Sequence, residues 1–175
     1  MLYCDYRDQI QQTSSNLLGA IIKQLLAYLE PLPADILDIY QRNRREGNGL
    51  GFVDAKTMLA SALTYFGRVY VCIDALDECS SRAMGELLKG FHSSMANSTR
   101  LFMTGRLHVR AYIEQYLEID TSPEPAAPIT IVADLGDIRK FLENEIDNYD
   151  PEPQTMNDAL RGEILDAIPA KSDGM

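Results

Sequence analysis

Histidine and cysteine are scarce in this 175-residue chain, which has two of the first and three of the second. The cysteines, Cys4, Cys72 and Cys79, are odd in number and show no C-x-x-C spacing. That pattern argues against a structural zinc site and for a reduced, cytoplasmic compartment. Basic residues are also in short supply: 16 Lys and Arg stand against 26 Asp and Glu, a net charge of −10. Nucleic acid and anionic membrane surfaces both require a basic footprint, so neither is an expected partner. No apolar run approaches the roughly 18–20 residues needed to span a bilayer. The best, Leu17–Leu29, is interrupted by Lys23 and Gln24. Met1–Cys4 starts directly in strand-like residues, without the basic region and apolar core of a signal peptide. No G-x-x-x-x-G-K-[ST] phosphate loop occurs anywhere. The glycine-rich Glu46–Gly51, EGNGLG, follows a helical stretch and lacks the Lys-Ser/Thr, so it reads as a connecting loop.

The remaining composition is that of a globular protein. Apolar residues make up 46% and charged residues 24%, which argues against disorder. The length predicts one domain, or a large piece of one.

Periodicity predicts an alternation of strands and helices. Leu2–Cys4 reads as the end of a short strand. Thr13, Ser14 and Ser15 offer N-cap oxygens to a helix over Asn16–Glu30, whose stripe is Leu18, Ile21, Ile22, Leu25 and Leu29 and whose stop is Pro31 and Pro33. A second helix is predicted over Ala34–Arg45, with Ile36, Leu37, Ile39 and Tyr40 apolar. A third runs to Phe66, capped by Asp54, with Met58, Leu59 and Leu63. After a turn at Gly67–Arg68 comes the strand Val69–Asp74. A helix over Arg82–Met95 carries Leu87, Leu88 and Phe91. Then follow a strand at Arg100–Thr104, a helix at Val109–Gln115, a proline-rich loop at Ser122–Pro128 and a short strand at Ile129–Val132. Asp134 caps a helix bearing Ile138, Phe141, Leu142 and Ile146. Asp150–Pro153 breaks that helix, and a last one covers about Met156–Ile168. Strands separated by helices imply an α/β fold whose parallel sheet is covered on both faces, with ligands at the carboxyl ends of the strands.

Asp74, Thr104 and Arg106 fall at those ends, and there the sequence is most specific. Val69–Cys79 reads VYVCIDALDEC: an apolar strand runs into Asp74, with Asp77 and Glu78 one turn later. Mg²⁺ takes hard oxygen ligands and keeps several waters, so one carboxylate at a strand end facing bound phosphates suits it. The two later acids stand where an attacking water could be oriented, the positioning on which phosphoryl transfer depends. The bland reading is a capping carboxylate followed by two solvated acids. Arg100–Arg106, RLFMTGR, is a second apolar strand that ends in Thr104 and then Arg106, a hydrogen bonder and a cation beside the acids. His108 reads as a surface histidine, and Cys72 as a small residue of the strand.

These residues resemble the central part of a fungal-type NACHT domain, the module of signal-transduction P-loop NTPases in the STAND group, of the nephrocystin-3-like N-terminal kind. The similar stretches are Tyr3–Gln9, Asn16–Leu26, Val69–Cys79, Leu101–Arg106, Asp137–Ile146 and Lys171–Met175. The resemblance implies a partial P-loop NTPase domain of the ASCE type, a three-layer sandwich with a mostly parallel sheet. It implies a core over about residues 1–134 and a helical extension over about 134–168. Asp74 would be the Walker B ligand of Mg²⁺. Asp77 and Glu78 would be the catalytic acids and Arg106 a sensor arginine, with Thr104 and Arg106 facing ATP or GTP. The family commonly has Thr-Ser-Arg-Pro where this chain has Thr104-Gly105-Arg106-Leu107. Its Walker A strand lies between those corresponding to Leu101–Thr104 and Ile129–Val132, and its winged-helix region lies beyond residue 175. The resemblance therefore implies a fragment with Walker B and no Walker A, which binds and hydrolyses nucleotide weakly or not at all alone. The alternative is a non-catalytic regulatory protein that pairs with full-length NACHT relatives through its sheet edges. A metal-dependent hydrolase built on Asp74, Asp77 and Glu78 alone is the remaining reading.

Overall fold

The computed structural model describes residues 1–95, 99–117, 127–148 and 156–171. The chain divides into two compact units, Met1–Ala126 and Ala127–Met175.

The first unit is built on a parallel sheet of three strands in the order β1-β2-β3. These are β1 (Leu2–Tyr3), β2 (Val69–Asp74) and β3 (Thr99–Met103). Leu2 lies opposite Ile73, Val71 opposite Leu101 and Cys72 opposite Phe102. Strand alternation then assigns the two faces. Val69, Val71 and Ile73 point into the core and are buried, while Tyr70 is 68% exposed. Phe102 and Tyr3, on the same face as Tyr70, are also exposed. Where the sequence predicts a sheet covered on both faces, the described residues of this unit cover one.

That cover is a group of helices read from the same periodicity: α1 (Ser14–Leu26), α2 (Ala34–Arg45), α3 (Phe52–Thr64), α4 (Ser81–Ser94) and α5 (Arg110–Leu117). Thr13 caps α1 by accepting from the Asn16 N–H at 3.2 Å, and Ser80 caps α4 through the Ala83 N–H at 3.3 Å. Leu17, Leu18, Ile21 and Ile22 of α1 meet Met58, Leu59 and Leu63 of α3 and Leu87, Leu88 and Phe91 of α4 in one core with the strands. Fully burying such side chains stabilises by about 1.5–3 kcal/mol each.

Three expectations shift. The first helix ends at Leu26, well before Pro31, with Ala27 as its C-cap. Asp54 is not the cap of α3: Gly51 is, and Asp54 in the first turn instead accepts from Arg42 at 2.7 Å and Asn43 at 2.8 Å, tying α2 to α3. Of the apolar side predicted for α2 only Ile36 is buried, and Leu37 and Tyr40 are exposed. The Glu46–Gly51 connection is a loop, as its context predicts. Gly47, at φ 68, takes the left-handed position after α2. It lets its own N–H reach Arg44 O and that of Asn48 reach Asn43 O, closing the helix end.

The second unit contains α6 (Leu135–Asn148) and α7 (Asp158–Lys171). Asp134 caps α6 through the Gly136 N–H at 2.8 Å, as predicted, and Asn157 caps α7 through the Leu160 N–H at 2.8 Å. Arg139 pairs with Asp166 and Arg161 with Asp147, a crossed order that makes the two helices antiparallel. α7 runs past the predicted end at Ile168 and includes Pro169. The strand expected at Ile129–Val132 does not form: these residues have no regular structure, and Ile129, Ile131 and Val132 are exposed. A strand needs a hydrogen-bonded neighbour, and none pairs with this segment among the described residues. The break at Asp150–Pro153, residues 122–126 of the proline-rich loop and the terminal 172–175 lie outside the described residues.

Candidate functional site

The carboxyl ends of β2 and β3 meet at Asp74 and Thr104. β2 is the central strand, so Asp74 sits in the middle of the sheet's upper rim. Thr104 follows β3 directly and is bonded on every polar atom. Its N–H donates to Ile73 O at 3.0 Å and its carbonyl accepts from Leu76 N–H at 2.9 Å. Its hydroxyl accepts from Ala75 N–H at 2.9 Å and donates to Asp74 Oδ1. Asp74 Oδ2 is left with no hydrogen-bond partner among the described residues.

Ala75 makes this arrangement possible. It adopts φ 54 and ψ 49, a left-handed conformation that disfavours residues with a Cβ and clusters at functional sites. The bend swings the chain out of β2 into a 3-10 turn at Leu76–Glu78. Leu76 goes down into the core, 0% exposed, while Asp77 and Glu78 stay at the rim.

Each of these acids is engaged. The Asp77 side chain is only 9% exposed and faces Arg106, with Oδ2 3.3 Å from the guanidinium Nε and Oδ1 accepting the Arg106 N–H at 3.2 Å. Gly105 permits this approach. A Cβ there would lie 2.9 Å from Val109 Cγ2 and 3.4 Å from Asp77 Oδ1. The glycine that departs from the Thr-Ser-Arg-Pro pattern therefore has a local steric reason. Glu78 Oε2 accepts the Tyr6 N–H at 2.8 Å and Glu78 O accepts from Gln9 Nε2 at 2.8 Å. The acidic turn is thus fastened to the segment after β1 on one side and to the segment after β3 on the other.

Cys4 and Cys79 lie beneath it, both buried. The Cys79 side chain, with burial adding to it, holds the Cys4 thiol well above its ordinary range, and the influence of Cys4 lowers Cys79. His108 is exposed in a 3-10 turn at Leu107–Val109, in keeping with a surface histidine.

The chemistry open to the site is limited by its donors. Asp74 offers one carboxylate oxygen, which fits an Mg²⁺ ion whose other ligands are water and substrate phosphates. It does not fit a dedicated metal centre, for no group of three His, Cys, Asp or Glu able to hold a metal occurs among the described residues. Asp74, Thr104, Asp77, Glu78 and Arg106 are brought together at one rim. The sequence had not revealed that Asp77 and Arg106 bond to each other, or that Tyr6, Gln9 and Cys4 underpin the turn. The Tyr3–Gln9 stretch carried that signal only as a resemblance.

No helix among the described residues is long and apolar enough to cross a membrane. Residues 1–106 match the family described as Nephrocystin 3, N-terminal. The match ends at Arg106, so the similar stretches at Asp137–Ile146 and Lys171–Met175 lie outside it. No curated protein and no solved structure matches the chain.

Proposed function

The chain belongs to the nephrocystin 3 N-terminal family, and from that premise we propose that it is a piece of a NACHT-type signal-transduction NTPase module. In this reading it holds the half of a P-loop nucleotide site that faces the metal and the water. The observation that carries the reading is Asp74 at the carboxyl end of the central parallel strand, with one carboxylate oxygen fixed by Thr104 and the other unengaged. Open α/β sheets bind their ligands at that rim, and Ala75 marks it with a strained backbone.

Asp74 is the Walker B carboxylate, and Thr104 orients it. A bound Mg²⁺–nucleotide would supply charge neutralisation across the phosphates. Asp77 holds Arg106 in place through backbone and side chain. Glu78 is the acid nearest a role with water, once its bond to Tyr6 opens. The backbone N–H groups and lysine that grip the phosphates belong to a G-x-x-x-x-G-K-[ST] loop, which this sequence does not contain. Nucleotide binding by this chain alone is therefore weak or absent.

Calorimetry with Mg-ATP and Mg-GTP tests this. Heats indistinguishable from dilution are expected at tens of micromolar protein, and micromolar affinity would overturn the reading. Supplying an upstream Walker A segment by fusion should restore binding that Asp74→Ala then weakens. Gel filtration of the same preparation addresses the second reading, regulation by pairing with NACHT relatives, which the exposed Tyr3, Tyr70 and Phe102 face favours. A stable monodisperse monomer would remove it.

A further inference from the structure

The outer face of α2 has no part in the nucleotide reading. The helix turns Ile36 into the core, and Arg42 and Asn43 fasten it to Asp54 of α3. At helical spacing Leu37, Tyr40, Gln41, Arg44 and Arg45 share another side. All five are exposed, Tyr40 by 55%. Gln41, Arg44 and Arg45 line an open cavity of about 490 Å³. Arg42 is paired with Asp54 at 2.7 Å, and Arg45 Nε donates to the Gln41 carbonyl at 3.3 Å. Neither Arg44 nor Arg45 is paired with a carboxylate among the described residues.

Arginines in a last turn complement the helix dipole, and that alone would account for the charge. It does not account for Leu37 and Tyr40, which lie on the same side and stay in water. A face kept only for solvation is polar along its length. Here an aromatic and an aliphatic residue lead into two uncompensated cations.

We propose that this face is a docking surface for an acidic peptide segment of another protein, one with apolar residues spaced among its carboxylates. The carboxylates meet the guanidinium forks of Arg44 and Arg45, which suit such groups in bidentate pairs. Leu37 and Tyr40 receive the apolar side chains, and the Gln41 amide between them meets the peptide backbone. Clustered arginines recognise acidic motifs in this way. The charge selects the partner. The chain carries −10 overall, so the two arginines are a local positive site in a negative field. A long polyanion such as nucleic acid meets that field along its length and is repelled. A short segment meets only the arginines and their apolar neighbours. The rim residues come from β2, β3 and the turns after them, so this surface stands independently of the nucleotide reading.

The test uses the full chain and three short fluorescein-labelled peptides, followed by anisotropy. The first alternates Glu and Asp with Leu and Phe. The second replaces each acid by its amide. The third keeps the acids and replaces each apolar residue by Ser. Only the first should bind, and its affinity should fall about threefold or more between about 50 and 300 mM salt, because exposed charges are screened. Arg44→Glu should weaken it about tenfold or more through like-charge repulsion. Tyr40→Ala should weaken it about threefold or more. Arg68→Glu makes the same change of charge at an exposed residue before β2 and should leave binding unchanged. Thermal melts report the folding of each variant, and Arg44→Gln, a milder surface change, should repeat the loss if the glutamate variant does not fold. Equal binding by the amide or serine peptide, undiminished binding by Arg44→Glu, or no binding of the first peptide would overturn the proposal. So would a concentration-dependent dimer in gel filtration that Arg44→Glu abolishes, since the face would then belong to a second copy of the chain.

Discussion

Helix α1 presents Leu17, Leu18, Ile21 and Ile22 along one side and buries all four. Helix α6 presents Ile138, Phe141, Leu142 and Ile146, also at helical spacing, and buries none. The two sequences carry the same kind of signal, yet α1 enters a core shared with α3, α4 and the sheet. α6 packs with α7, whose one buried residue among those described is Leu165. An apolar stripe defines a face, and burial follows only where other elements bring matching surface to it.

The sharpest way to break that comparison is to truncate both stripes. Leu18→Ala removes a side chain that is 0% exposed and should cost about 2–5 kcal/mol in urea unfolding. Phe141→Ala removes one that is 62% exposed and should stay within about 0.5 kcal/mol. Equal costs would mean that α6 is buried in solution and would dissolve the contrast.

A second pair of substitutions sets glycines of the two units against each other. At Gly105 an added Cβ meets Val109 Cγ2 at 2.9 Å, and Val109 is itself buried. Gly105→Ala should therefore destabilise by about 1–3 kcal/mol, as overpacking does. At Gly162, inside α7, nothing lies within 4 Å. Gly162→Ala should stabilise by up to about 1 kcal/mol, because alanine loses less freedom on entering a helix. Thermal melts of the two variants should shift in opposite directions.

The smallest effect concerns how α1 is fastened. Glu86 on α4 accepts from Ser14 Oγ at 2.5 Å and from Arg82 at 3.1 Å. The Ser14 hydroxyl first, then Arg82, hold its carboxyl below the ordinary 4.5. A carboxyl depressed in the folded state stabilises above its unfolded pKa and loses that contribution as pH falls through the folded one. The stability gap between the parent and Glu86→Gln should therefore be present at pH 7 and shrink on acidification below about 4.5. A gap independent of pH would show that the ionised form does not fasten α1 to α4.

Much of the first unit was legible because its signals are local. Val69–Asp74 declares a strand by its apolar run, and Thr13 declares a helix start by its hydroxyl. The strand at Ile129–Val132 was misread because an alternating apolar segment becomes a strand only beside a neighbour, and neighbours are not written into four residues. Asp54 was misread as a cap because a carboxylate near a helix start also suits Arg42 and Asn43 on the adjacent helix, and only packing chooses between them.

The rim divides the same way. The sequence alone established a carboxylate at the end of an apolar strand, two acids one turn later and a threonine and an arginine after the next strand. These follow from chain order and strand length, which are local properties. Tertiary structure alone decided that Thr104 clasps Asp74, that Asp77 sets its charge against Arg106 and that Glu78 caps the segment after β1. Each is a contact between residues far apart in the chain, and parallel strands bring such residues together only through crossovers that no single segment specifies.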